Sequence, residues 1–149
     1  MNATSPTKIL FLCTGNSCRS QMAEGWARRL YGEEYRFWSA GIETHGLNPH
    51  AVKVMAESGI DISGHRSKTL ADIEEQSFDV VITVCDHAHE TCPILPVSTR
   101  LIHKSFPDPP RLAQEIMDPE AALEPYRMVC EKIRHFMEIL PEVLQENRR

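Results

Sequence analysis

The chain has 149 residues, the size of one domain around a single core. Its makeup, 42% hydrophobic and 25% charged, is that of an ordinary globular protein. The formal net charge of -5 argues against a nucleic-acid partner, since phosphate binding needs a basic face. No apolar run approaches the roughly 18 residues of a membrane span, so no membrane association is expected. The polar start MNATSPTK and the short run behind it do not make a secretory signal. A cytoplasmic protein is therefore expected, and the acceptor sequence Asn2-Ala3-Thr4 is expected to carry nothing. In a reducing compartment the five cysteines are to be sorted among catalytic, metal-binding and inert core thiols.

In chain order, residues 8–12 read as a short apolar strand that ends at Cys13. Residues 20–31 carry Met22, Ala23, Trp26, Ala27 and Leu30 at helical spacing, with Gly32 as a stop. A second strand falls at 36–40. Asn48-Pro49 reads as an N-cap followed by proline at the first helical position, opening a helix that Gly59 ends. Thr69 and Asp72 resemble a capping box for a short helix. FDVVITV at 78–84 is the clearest buried strand, and 100–103 a fourth. The stretch 120–145 is mostly helical, with Pro125 near its start and Pro141 expected to end or kink it. Alternating strands and helices imply a parallel sheet, whose ligands bind beyond the C-terminal strand ends. Cys13 and Cys85 both stand at such ends.

Cys13 to Arg19 spells C-x5-R, followed by Ser20. A loop running from a strand into a helix can turn successive N–H groups on one point, and the helix start adds partial positive charge. Thr14, Gly15, Asn16, Ser17 and Cys18 would supply that cradle, and Arg19 a planar fork for two oxygens of a tetrahedral anion. Gly15 and Asn16 suit strained or left-handed backbone. The same field favours the thiolate of Cys13, and Ser20 can donate a hydrogen bond to the sulfur. A strand that aims a nucleophile at a held oxyanion is the functional reading; a core thiol beside a surface arginine is the bland one.

CTGNSCRSQMAEGW resembles the active-site loop of the low-molecular-weight protein tyrosine phosphatase superfamily. Within it, CRSQMAEGW, SAGIETHGLNP and CPILP are similar to the thioredoxin-coupled arsenate reductases. The likeness covers residues 8 to 110, and 111 to 149 match only loosely. It implies an α/β fold: one doubly wound domain over 1–149, with a four-stranded parallel sheet in the order 2-1-3-4 flanked by helices and the anion loop after strand 1. It implies arsenate as substrate. Cys13 attacks it, Cys85 attacks the sulfur of Cys13, and Cys92 attacks Cys85. Thioredoxin then reduces the Cys85–Cys92 bond, in preference to glutaredoxin and glutathione, and no cofactor or metal is needed. Asp108-Pro109 matches the Asp-Pro pair whose aspartate is the general acid. A monomer is expected.

Physical reasoning is compatible with this. Reduction of As(V) to As(III) takes two electrons, which two thiols supply in forming a disulfide, and a third thiol can move that bond by exchange. If 85–92 is helical when reduced, its ends are about 10.5 Å apart at 1.5 Å per residue, whereas a disulfide needs Cα atoms within about 7 Å. The segment must then unwind on oxidation; Pro93 and Pro96 limit any continuing helix.

Three other readings are kept. The first is a phosphatase of the same fold, disfavoured because Pro109, Pro110 and Arg111 stand where the phosphatases carry aromatic residues. The second is a zinc-bound or redox-sensing module built on Cys13, Cys18, Cys85, Cys92, His87 and His89, whose spacings suit zinc poorly. The third concerns a potassium site found in some relatives: Asn16, Glu24 and Ser39 match it, but Lys68 stands where the aspartate would, so its ammonium is expected to replace the ion and no strong potassium activation is expected. Cys18 and Cys130 read as packed thiols. His45, His50, His65 and His103 have no spacing that compels a role.

Overall fold

The computed structural model describes residues 6–75, 77–92 and 94–146; the readings at Asn2-Ala3-Thr4 and at Pro93 lie outside these. The first apolar run is strand β1 (Thr7–Cys13), buried from Ile9 onward, and it lies between β2 (Tyr35–Gly41) and β3 (Val80–Thr83). With β4 (Arg100–His103) outside β3, the sheet is all parallel in the order β2-β1-β3-β4, as expected. Helices flank it: α1 (Arg19–Tyr31), α2 (Pro49–Glu57), α3 (Asp86–Glu90), α4 (Pro109–Leu112), α5 (Glu124–Glu138) and α6 (Leu140–Glu146). The core is made by β1 and β3 together with Met22, Met55, Ile62, Ile133 and Met137.

Local chemistry sets the boundaries. Asn48 caps α2 with its side-chain oxygen on the N–H groups of His50 and Ala51, at 2.8 and 3.3 Å, and Pro49 follows. Gly59 ends that segment with φ of 78°, backbone that disfavours any residue with a Cβ. At the short 3₁₀ turn Leu70–Asp72, the Asp72 carboxylate accepts the Thr69 N–H at 2.9 Å.

Two expected boundaries shift. The regular strand at 78–84 is Val80–Thr83, although Asp79 and Val84 still donate to the Lys8 and Leu12 carbonyls, both at 2.9 Å. The long C-terminal helix divides at Ile139 into α5 and α6 after a 3₁₀ turn at Ala121–Leu123. Pro141 has no N–H for the carbonyl of Met137, and the Tyr31 hydroxyl donates to that oxygen instead, at 2.8 Å. Among the described residues no helix is long and apolar enough to cross a membrane.

Candidate active site

The strand order turns at the β1–β3 junction, which is where a doubly wound sheet opens a crevice. Leu12 lies beside Thr83 in the parallel register, so Cys13 and Thr14 continue next to Val84 and Cys85. Neighbouring strands lie about 4.8 Å apart. The Thr14 hydroxyl meets the Cys85 sulfur at 3.3 Å, across 71 residues of sequence. The open cleft at this point is lined by Thr14, Arg19, Cys85, Phe106, Asp108 and Arg111, among others.

Cys13 closes β1 and is buried, and two groups bond to its sulfur. The Ser20 hydroxyl lies 2.8 Å away and the Asn16 N–H donates at 3.3 Å. Both can donate to a thiolate. The second edge of the loop is sewn to the chain after β2. The N–H groups of Ile42, Glu43, His45 and Asn48 donate in turn to the carbonyls of Cys13, Thr14, Gly15 and Ser17, at 2.9 to 3.0 Å. Asn16 takes left-handed backbone, φ 48°. Gly15 does not share it; its requirement is space, because a Cβ there would collide with the ring of His45.

Behind the loop lies a buried polar network. Asn16 Nδ2 donates to Ser20 Oγ at 2.8 Å and to Ser39 Oγ at 3.0 Å, and Ser39 donates to Glu24 Oε1 at 2.5 Å. Gln21 Nε2 reaches the Asn16 carbonyl, Asn16 Oδ1 and the Arg66 carbonyl at 3.0 to 3.1 Å. Its Oε1 faces His65 Nδ1 at 2.9 Å, so the neutral ring carries its proton on Nδ1. Burial holds the pKa of His65 below its ordinary value.

The residues matched to a potassium site do gather, but they are differently filled. Lys68 reaches Asn16 Oδ1 through its backbone N–H at 2.9 Å, and its ammonium turns to the Arg66 carbonyl at 3.3 Å. The cation on Glu24 is Arg28, at 2.8 Å. Burial lowers the Lys68 pKa, with Glu24 opposing. This donor set does not fit a bare monovalent ion, because a guanidinium already occupies one carboxylate oxygen.

Arg19 opens α1, where its Nη1 donates to the Phe106 carbonyl at 3.0 Å and its Nη2 stands 3.6 Å from Asp108 Oδ1. The loop that carries Asp108 is aligned by Lys104 and Phe106, whose N–H groups donate to the Thr83 and Val84 carbonyls at 2.9 and 3.0 Å. Asp108 then stands at the N-cap of α4, followed by two prolines.

Cys85 is the N-cap of α3, and its sulfur accepts the Ala88 N–H at 3.4 Å. α3 has only five residues rather than filling 85–92, and Cys92 lies just beyond it, half-buried, with its pKa raised by that burial. Cys18 is buried at the start of α1, where desolvation pushes its thiol far up, and Cys130 is buried among Trp26 and Met55. Ser17 contributes its carbonyl to the Asn48 N–H at 3.0 Å. Among the described residues no three histidine, cysteine or acidic side chains converge as a metal-holding group.

Sequence reasoning missed Gln21, Arg28, Thr83 and His45. Gln21 and Arg28 sit inside a helix that announces itself by its apolar residues; the partners of Gln21 come from other segments, while Arg28 pairs with Glu24 one turn earlier. Thr83 is the one polar side chain in the strand Val80–Thr83, and that was a usable signal. It is fully buried, and a buried hydroxyl must find partners.

A thiol at the end of a parallel strand, a sewn loop running into a helix and an arginine over it define a phosphatase-like doubly wound α/β protein. The family model for low molecular weight phosphotyrosine protein phosphatases matches residues 8–149, further than the likeness seen in the motifs. The arsenate reductase of Halalkalibacterium halodurans is 54% identical over 101 residues, 68% of this chain and 73% of that protein. The solved structure of an arsenate reductase in the phosphate binding state matches with TM-score 0.67 and 34% identity, covering 90% of this chain and 95% of that one. The low molecular weight protein tyrosine phosphatase from T. tengcongensis matches with TM-score 0.71 and 26% identity, covering 91% and 98%. The chain belongs to the low molecular weight phosphotyrosine protein phosphatase family and, within it, to the arsenate reductases.

Proposed function

We propose that this protein reduces arsenate to arsenite by a relay through Cys13, Cys85 and Cys92, and that thioredoxin restores it. The thiolate of Cys13 attacks arsenate held by Arg19 and the backbone of residues 14 to 19. Asp108 protonates the departing oxygen, which leaves as water. The Cys85 thiolate then attacks the Cys13 sulfur; the S–As electron pair leaves with arsenic, which takes up protons as arsenite. Cys92 attacks Cys85, releasing the Cys13 thiolate and leaving a Cys85–Cys92 disulfide for thioredoxin.

The observation that carries this reading is the meeting of Thr14 and Cys85 at 3.3 Å, with Cys92 one five-residue helix further on. A phosphatase needs the first thiol and the arginine but has no use for Cys85 at its nucleophile's side. Arsenate-dependent oxidation of NADPH, coupled through thioredoxin reductase, tests it. Wild type should turn over with thioredoxin better than with glutathione and glutaredoxin. Cys92→Ser should stop after one turnover, and Cys85→Ser should release no arsenite. Aryl phosphate hydrolysis that is unaffected by Cys85→Ser, without arsenate turnover in wild type, would instead make it a phosphatase.

A further inference from the structure

A cluster that meets the cleft only at Asp86 ties α3 to the sheet at both ends of the helix. Thr83, on β3, is fully buried, and its hydroxyl is 2.8 Å from His103 Nδ1 and 3.4 Å from His89 Nδ1. His103, on β4, reaches Asp86 Oδ1 with Nε2 at 3.0 Å. The rings of His89 and His103 stack, with centroids 4.1 Å apart and planes 23° from parallel. Asp86 opens α3 and His89 lies in its last turn.

The partners fix the protons. A carboxylate only accepts, so His103 donates from Nε2, and in the neutral ring its Nδ1 accepts from the Thr83 hydroxyl, which also lies 3.5 Å from the Ile102 carbonyl. The same hydroxyl then accepts from His89 Nδ1. One directional chain results, from His89 through Thr83 and His103 to Asp86. Four side chains from three elements agree on a single state of α3, the helical one.

We propose that His103 is a positioning residue that, anchored on Thr83 and joined to Asp86 and His89, holds α3 in place in the reduced protein and restrains the hand-over of the disulfide from Cys85 to Cys92. This rests on the relay above. In that step the Cys92 thiolate bonds to the Cys85 sulfur, the Cys13–Cys85 bond breaks and Cys13 leaves as thiolate, with no net change in electrons. α3 must loosen for Cys92 to arrive, and the latch opposes this. Its counterpart is that the latch favours the dithiol over the disulfide.

The test uses His103→Ala and, as a second variant on the exposed helix surface, His89→Ala. Single-turnover reaction with arsenate is quenched with alkylating agent and the disulfides are mapped by mass spectrometry. His103→Ala removes two hydrogen bonds and the ring stack, His89→Ala one hydrogen bond and the stack, and each should raise the rate of Cys85–Cys92 formation by about 3- to 10-fold. The exchange equilibrium with dithiothreitol should move toward the disulfide by the same factor; a tenfold shift is about 30 mV more negative. Loss of the first two thiols on arsenate addition should keep its wild-type rate, which a merely unfolded variant would not do. His103→Gln, which can still bond to Asp86, should return part of the effect. Wild type that forms no Cys85–Cys92 disulfide overturns the relay and the latch together. Wild type that forms it, with both alanine variants unmoved in rate and equilibrium, overturns the latch alone.

Discussion

Glu24 has 4% of its surface exposed, and its charge is met by Arg28 at 2.8 Å and by the Ser39 hydroxyl at 2.5 Å. The arginine side chain is 51% exposed, so water screens it, and the pair is worth less than a fully buried one. Arg28→Met should still cost about 2 kcal/mol, because the carboxylate stays buried with one partner fewer. Thermal unfolding should show this as a Tm lower by about 4 to 8 °C for a domain of this size, with Arg28→Lys in between; an unchanged Tm would mean that solvent already satisfies Glu24. His65 gives a second expectation. Burial depresses its folded pKa below the ordinary 6.5, so the unfolded chain binds the proton more readily. Stability is then full above the unfolded value and declines as the pH falls through the window down to the depressed folded value. Urea midpoints of wild type should drop on acidification from pH 7 to pH 5 more than those of His65→Gln, and parallel curves would refute the assignment. Much of the site is legible at this scale because Cys13, Asn16, Arg19 and Ser20 share one short window whose chemistry is local. Gln21–His65 is not, because its two residues lie 44 apart in sequence; Glu24–Arg28 is an i,i+4 pair within α1 and is readable, whereas the Ser39 hydroxyl on the other Glu24 oxygen comes from β2. The sequence suggests an ammonium at Lys68 beside Asn16, whereas it is the backbone N–H of Lys68 that reaches Asn16.

At the scale of elements, α3 is the weak member. Isolated helices need about 12 to 15 residues to be even marginal in water, and this one has five. It depends on its sulfur cap, on the Thr91 hydroxyl donating to the His87 carbonyl at 2.8 Å, and on the histidine cluster. Cys85 cannot both accept the Ala88 N–H in this geometry and turn to bond another sulfur, so oxidation removes the cap. Amide exchange followed by mass spectrometry should show peptides spanning 86–91 losing protection by about tenfold or more on conversion to the disulfide, as local unfolding of a small unit predicts. Peptides of β1 and β3 should be unchanged. Equal protection of 86–91 in both redox states would mean that the thiols meet without unwinding. The sequence shows the strands and long helices here because their apolar periodicity extends over many residues. It does not show where so short a helix stops, since the C-cap residue Thr91 is neither glycine nor proline and leaves no recognisable pattern.

At the scale of the whole molecule, charge and topology oppose each other. A chain of net charge -5 repels a dianion, yet the crevice between β1 and β3 opens onto the cations Arg19 and Arg111. Arg19 is occupied by Phe106 and Asp108, whereas Arg111 is exposed on α4 at the rim. A dianion about 8 Å from a unit charge in water gains about 1 kcal/mol, equivalent to roughly a fivefold rise in local concentration. Arg111→Gln should therefore lower kcat/KM for arsenate by about 3- to 5-fold at low salt and leave kcat unchanged, since nothing in the bond-making steps uses it. Near 1 M salt, where the screening length is about 3 Å, the variant and wild type should converge. Steady-state kinetics across that range decide the matter. A deficit that persists at high salt would mean that Arg111 touches the bound anion rather than drawing it in, and a fall in kcat would make it part of the chemistry.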